Sequence, residues 1–223
     1  MIVAAVPVKD LVNAKQRLMR VLSAPERREL ARTMLCDVLR ALAAAALDRV
    51  WVVTREAEIV GIARALGAEP LAEDDNRGHT AAVAVAQAEA ARAGARVFVT
   101  IPGDVPAVTA AEIRTLTDGA AATPSAVFVP SRSGLGTNGV ALAPPSAMRL
   151  RFGEPSFDNH LAAARALHLA PRVLRLPGLG LDVDAPEDLH ALLATDTATE
   201  SGRLVAGWSL HDRLAAAGVS AGR

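Results

Sequence analysis

The chain has 223 residues, 51% hydrophobic and only 3% aromatic, with 24 Lys+Arg against 24 Asp+Glu. A zero net charge gives no global field to steer the chain to nucleic acid or an acidic membrane, and a chain without Tyr lacks the aromatic platform on which single-stranded bases stack. The one cysteine, Cys36, excludes an internal disulfide and a multi-cysteine metal site and reads as a small buried hydrophobe.

The size suits one large α/β domain. Ile2–Val6 is a short strand-like run ended by Pro7, and it reaches Lys9 too soon for a signal peptide. No apolar run approaches a membrane span, so a cytoplasmic protein without a membrane partner is expected. Lys9 to Leu18 is polar and irregular and carries Lys9, Asn13, Lys15 and Arg17. Ser23-Ala24-Pro25-Glu26 starts a helix, with Ser as N-cap and Pro in the first turn, and Leu30, Met34, Leu35, Val38, Leu39 and Leu42 mark its apolar face. Arg49–Thr54 is the second strand, and Glu56–Leu66 is a helix closed by Gly67. A short strand at Glu69–Leu71 leads through the polar loop Glu73–His79 into an Ala-rich helix, Thr80–Ala93, closed by Gly94.

Arg96–Ile101 is strongly apolar, as a central strand buried on both faces should be. Thr109 caps a helix to Asp118, with Glu112 three residues on. Ala126–Pro130 and Gly139–Leu142 are strands flanking a Gly-rich loop, and Ser156–Leu169 is a helix with Ser156 at its N-cap. Val173–Leu176 and Leu181–Val183 read as short strands, and Pro186–Leu193 as a helix. This alternation predicts a single-domain, three-layer α/β/α fold with a mostly parallel, Rossmann-like sheet over residues 1–194. Residues 195–223, with a helix at Trp208–Ala217, read as a tail packed on the domain or on the partner of a homodimer.

Asp104, in Ile101-Pro102-Gly103-Asp104-Val105-Pro106, follows the central strand and falls at the carboxyl edge of the sheet, where ligands bind in open α/β folds. Asp182 and Asp184 are two apart on an extended segment and share a face, and like charges that close need a cation between them. Carboxylates at strand ends are the means by which such folds hold Mg²⁺ over a phosphate, although Asp104 also suits a turn cap and Asp184 the N-cap of the next helix. Lys9, Lys15 and Arg17 suit either a triphosphate or a solvated loop, and the segment lacks the Walker pattern. Gly134, Gly136 and Gly139 free backbone N–H groups for an anion, or simply build a hairpin; Thr137 adds a hydroxyl. The helix start at Ser156 is a natural site for a carboxylate or phosphate, or simply a capped end. His79 lies on a pocket-lining loop, whereas His160, His168, His190 and His211 read as helix-surface or helix-boundary residues. No His is given a catalytic role.

Together, Val6-Pro7-Val8-Lys9, Ala14-Lys15-Gln16-Arg17-Leu18, Leu22–Arg28, the Asp104 segment, Gly134-Leu135-Gly136-Thr137-Asn138, Arg151-Phe152-Gly153-Glu154-Pro155-Ser156-Phe157 with His160, and Leu181-Asp182-Val183-Asp184 resemble the CofC/FbiD family. These are the 2-phospho-L-lactate or phosphoenolpyruvate guanylyltransferases of coenzyme F420 biosynthesis. The resemblance runs from about Ile2 to Leu193 and implies a nucleotide-diphospho-sugar-transferase-like fold. It implies Mg²⁺ on Asp104, Asp182 and Asp184, and a phosphorylated acid held by Thr137, Gly153 and Ser156. It places GTP against Pro7, Lys9, Lys15, Arg17, Gly78 and Thr80, with Lys9, Lys15 and Asp104 serving catalysis. Where the family has a Gly-Gly-Leu-Asn-like run, this chain has Arg77-Gly78-His79-Thr80. A sugar-1-phosphate or molybdenum-cofactor nucleotidyltransferase, or a non-catalytic nucleotide-binding homologue, are the alternatives. The first two carry a Gly-rich signature near the first strand that Pro7-Val8-Lys9 lacks.

Overall fold

Apolar runs and amphipathic stretches alternate along the chain, and the computed structural model, which describes residues 1–11, 14–73, 77–195, 199–208 and 210–218, turns them into strands and helices in the same order. Asn13, residues 74–76 of the polar loop and residues 219–223 of the tail lie outside the described residues. The elements are β1 (Ile2–Pro7), a 3₁₀ turn (Gln16–Arg20), α1 (Ala24–Ala45), β2 (Arg49–Val53), α2 (Ala57–Ala65), β3 (Glu69–Leu71), α3 (His79–Arg92) and β4 (Val97–Thr100). They continue with α4 (Ala110–Gly119), β5 (Ser125–Pro130), β6 (Thr137–Ala143), a second 3₁₀ turn (Pro145–Ala147), α5 (Ser156–Ala166), β7 (Arg172–Val173), α6 (Pro177–Gly180), α7 (Pro186–Ala194), α8 (Glu200–Gly207) and α9 (His211–Ala216).

The strands form one seven-stranded sheet in the order β3-β2-β1-β4-β6-β5-β7. β1 pairs in parallel with β2 and β4, β2 with β3, and β5 with β7, whereas β6 runs antiparallel to both neighbours. The reason is local: a short loop joins β5 to β6, and a hairpin must reverse the chain. The three-layer α/β fold expected from the alternation is therefore present, with β6 as the one reversed strand among the described residues.

Strand alternation divides the core between the two faces of the sheet. Ala4 and Val6 join Leu35, Leu39, Leu42, Ile59 and Ile113 on one side, and Val3 and Ala5 join Trp51, Phe98, Val83 and Ala86 on the other. Both predicted capping boxes form: Ser23 with Glu26 opens α1, and Thr109 with Glu112 opens α4. Three expectations are corrected. Leu181–Val183 pairs with no strand, because its neighbour β7 ends at Val173 and the short α6 intervenes. Pro155, not Ser156, is the N-cap of α5, and Ser156 is its first residue. The terminal helix expected from Trp208 to Ala217 forms, as α9, but starts only at His211, because Trp208 ends α8.

A third apolar cluster joins Leu18, Leu30 and Met34 to Val183, Leu189, Val205 and Leu214. α8 is fixed to α1 through Asp37, whose carboxylate accepts the N–H groups of Glu200 and Ser201 at 3.1 and 2.8 Å and the Ser201 hydroxyl at 2.7 Å. Replacing Asp37 by Ala leaves these buried donors unpaired. The expected outcome is a loss of about 1–3 kcal/mol in unfolding free energy, read as a lower urea midpoint.

Candidate active site

The topology decides which segments meet. Because β6 is reversed, its first residue, Thr137, lies at the edge where β1, β4 and β5 end. Pro7, the turn bearing Asp104, and Thr137 therefore come from distant parts of the chain to one edge. The Val183 N–H donates to the Asp104 carbonyl at 3.0 Å, and this bond sets Asp182 and Asp184 beside Asp104.

The Lys15 ammonium sits between the acids, 2.5 Å from Asp104 Oδ2 and 2.6 Å from Asp184 Oδ1. Lys15 adopts a left-handed backbone, φ +57°, costly for a residue with a Cβ and held here by the two ion pairs. Burial pushes its pKa down, but the charges of Asp104 and Asp184 outweigh burial and hold it above the ordinary lysine value. Asp104 Oδ1 is buried and has no hydrogen-bond partner, so half of this carboxylate is left for something else to satisfy. Asp182 Oδ1 accepts from the Asn138 amide at 2.9 Å. Burial raises the Asp182 pKa, the Asn138 bond opposes the rise, and the Asp104 and Asp184 charges add to it. Asp184 is not a helix cap: Asp188 Oδ2 takes the N–H groups of Asp184 and Ala185, which leaves the Asp184 carboxylate to Lys15.

Three adjoining cavities open along this edge. One, of about 200 Å³, is lined by Pro7, Lys9, Lys15, His79, Gly103 and Asp104. A second, of about 220 Å³, shares His79 and Asp104 and adds Thr137, Asn138, Gly153, Ser156 and Asp182. The third, of about 430 Å³, shares Asp182 and adds Arg17, Arg132, Asp184 and Asp188. A roomier cavity of about 770 Å³ lies between α3 and the segment 146–151, but no carboxylate lines it.

Most of the expected residues thus converge, with corrections. Arg17 lies on the Asp182–Asp184 side, apart from Lys9. Gly78 is the N-cap of α3, close beneath the Lys9 ammonium. The Thr80 hydroxyl is engaged with the Phe152 backbone, accepting its N–H at 2.9 Å, and Thr80 lines the cavity that holds no acid. The glycine loop offers its N–H groups inward. Gly134 donates to the Ser131 carbonyl and Gly136 to the Ser131 hydroxyl, which makes a hairpin and not an anion cradle. Gly139 lies within β6, where a Cβ would come 2.7 Å from Leu179 Cδ2, so close packing demands glycine there. Gly153 lines the second cavity at φ +118°, a conformation only glycine adopts without strain. Among the described residues no three His, Cys, Asp or Glu side chains form a ready-made metal cage, because Lys15 already stands between two of the three acids.

His160 is the main residue the sequence reading misplaced. It is 2% exposed, not on a helix surface, and its ring contacts Thr137 Oγ1 through Nδ1 and the Arg151 N–H through Nε2, both at 3.0 Å. Its spacing of four from Ser156 puts the two on one helix face, a signal that could have found it.

A mostly parallel sheet with acids, lysines and hydroxyls over its carboxyl edge places the candidate site where open α/β folds bind ligands. The fold is similar to the solved structure of a protein from Desulfovibrio desulfuricans described as a nucleotide-diphospho-sugar transferase, with a TM-score of 0.76 at 16% identity over 94% of this chain and 96% of that one. Residues 2–205 match the family described as Guanylyl transferase CofC like. The chain is 38% identical over 192 residues to the phosphoenolpyruvate guanylyltransferase of Rubrobacter xylanophilus, covering 86% of this chain and 93% of that protein. It is 37% identical over 190 residues to the 2-phospho-L-lactate guanylyltransferase of Methanothermobacter thermautotrophicus, covering 85% and 83%. The chain belongs to the CofC-like guanylyl transferase family. No helix among the described residues is long and apolar enough to cross a membrane.

Burial drives the His160 pKa down to about 4, against about 6.5 for a free imidazole. Between those values the unfolded chain binds a proton that the folded chain refuses, so stability falls as pH drops from about 6.5 to 4 and then levels. Urea titrations across this range should show the wild type losing up to roughly 3 kcal/mol relative to His160→Asn, which does not titrate.

Proposed function

We propose that the chain transfers the guanylyl group of GTP to a small phosphorylated carboxylic acid, with release of pyrophosphate, in coenzyme F420 biosynthesis. Phosphoenolpyruvate, 2-phospho-L-lactate and 3-phosphoglycerate are the candidate acids. The observation that carries the reading is the position of Asp104, which lines both the cavity of Lys9 and Lys15 and the cavity of Thr137, Gly153 and Ser156. A group there faces both reactants.

In this reading a phosphate oxygen of the acid attacks the α-phosphorus of GTP as the bond to the bridging oxygen breaks, and pyrophosphate leaves with that electron pair. No general base is needed, because a phosphate monoester is already ionised at neutral pH. Two polyanions must meet, and like unit charges ~4 Å apart repel by roughly 4 kcal/mol at an effective dielectric near 20. Lys9 and Lys15 meet the triphosphate with positive charge and stabilise the leaving pyrophosphate, and Arg17 adds charge from the far side. Thr137, Gly153 and Ser156 hold the acid in place.

Asp104, Asp182 and Asp184 are the residues that would hold Mg²⁺. The donor set fits: oxygen ligands suit this hard cation, Asp104 Oδ1 is buried without a partner, and the cluster already draws in the Lys15 ammonium. When bound, Mg²⁺ supplies charge neutralisation between the reacting phosphates.

Asp104→Asn keeps the size of the side chain and removes its charge. We expect kcat to fall by ~100-fold or more with little change in melting temperature. Normal turnover at saturating Mg²⁺ would overturn the assignment. A matrix of the four ribonucleoside triphosphates against the three acids, read by pyrophosphate release and product mass, tests the whole proposal. GTP with one of the acids should give a guanosine diphosphate-linked product. Pyrophosphate from no combination would refute the proposed function, and turnover with another nucleotide only would refute the guanine assignment.

A further inference from the structure

The hydrogen bonds around His160 fix where every proton in that buried network sits. The Arg151 backbone N–H can only donate, and it points at Nε2 from 3.0 Å, so Nε2 carries a lone pair. The neutral imidazole then carries its hydrogen on Nδ1, which faces Thr137 Oγ1 at 3.0 Å. The Ser156 hydroxyl donates to the same oxygen at 3.2 Å. Both lone pairs of Thr137 Oγ1 are thereby used, and its own hydrogen must point elsewhere. Thr137 lines the cavity shared with Asp104, Gly153 and Asp182, so the remaining direction is into that cavity.

We infer that His160 is a positioning residue that holds the Thr137 hydroxyl as an obligatory hydrogen-bond donor to the acidic substrate. The ring has little freedom to do anything else. It stacks on Phe128, with centroids 5.5 Å apart and planes 7° from parallel, and Phe152 meets it edge-on at 5.1 Å. A ring flip would break both of its hydrogen bonds. Burial also keeps the imidazole neutral at physiological pH, so the tautomer and not a charge does the orienting. A hydroxyl locked as donor accepts only groups that bring a lone pair, here a phosphoryl or carboxylate oxygen. It turns away a substrate analogue that presents an O–H or N–H at the same point.

The inference rests on the proposed acid substrate, and its tests separate the two ideas. Asn at position 160 keeps an N–H donor near the place of Nδ1. Gln reaches the place of Nε2 with its amide oxygen, accepts the Arg151 N–H and leaves Thr137 without that donor. With GTP and phosphoenolpyruvate we expect His160→Gln to raise KM for phosphoenolpyruvate by ~10-fold and His160→Asn to stay near wild type, with KM for GTP unchanged in both. Thr137→Val should match His160→Gln, and adding His160→Gln to it should have no further effect. Thr137→Ser, which keeps the hydroxyl, should recover most of the KM loss seen in Thr137→Val. Equal KM values for the Asn and Gln variants would overturn the inference. Nitrogen-15 NMR of the unliganded wild type reads the ring directly, without turnover. A protonated Nδ1 with a bare Nε2 at neutral pH is required, and the other tautomer sinks the inference whether or not GTP and phosphoenolpyruvate react. A chain that shows this tautomer but turns over none of the acids would instead refute the proposed function alone. If His160→Gln does not fold, the Thr137→Val and Thr137→Ser pair decides the KM question.

Discussion

One ammonium holds the site together. Lys15 meets Asp104 and Asp184, which lie 89 and 169 residues further along the chain, and neither carboxylate has another cation at that distance among the described residues. Without Lys15, two like charges would face each other across a partly exposed cleft. The backbone bond from Val183 to the Asp104 carbonyl forces this proximity. The side chains must therefore resolve the charge conflict that the fold creates. The lysine fills the place between two of the acids, and Asp104 Oδ1 still has no partner.

The neutral total charge conceals a strong local gradient. On the β1 side of Asp104 the lining brings two lysines, Lys9 and Lys15, beside Asp10 and Asp104. On the β6 side no lysine or arginine lines the cavity among the described residues, and Thr137, Ser156 and Gly153 stand beside Asp182 and Glu154. The reversal of β6 produces the second side, because it starts a strand at the edge where its neighbours end.

Much of this was legible in the chain. Strand and helix periodicity gave the layers, and Ser23-x-x-Glu26 and Thr109-x-x-Glu112 announced helix starts because capping is a local interaction. Asp104 could be placed at an edge because a strongly apolar run must be a central strand. What was not legible depended on partners remote in sequence. Leu181-Asp182-Val183 alternates as a strand should, yet its backbone bonds go to Gly178 and to the turn at Asp104 and it joins no strand. Gly139 looked like anion-binding backbone, but its glycine answers to Leu179 and Val129 packed against it. Thr80 occupies a nucleotide-binding position by resemblance, and only the fold shows its hydroxyl held by Phe152. His160 was hidden because a polar residue on a helix reads as surface until its spacing of four from Ser156 is weighed.

The third apolar cluster explains why the acids hold their places although they lie on no strand. Leu18 follows Lys15 by three residues, Val183 separates Asp182 from Asp184, and both are fully buried in the same cluster with Leu189 and Val205. The turn that aims the lysine and the segment that aims the acids are thus anchored on one patch of α1, and α8 closes that patch through Asp37. An irregular segment that is pinned by its apolar residues can present alternate polar residues with a strand's regularity and none of its hydrogen bonds. The geometry of the ion cluster is therefore set from beneath, by packing, and the charges above it act on a framework that is already in place.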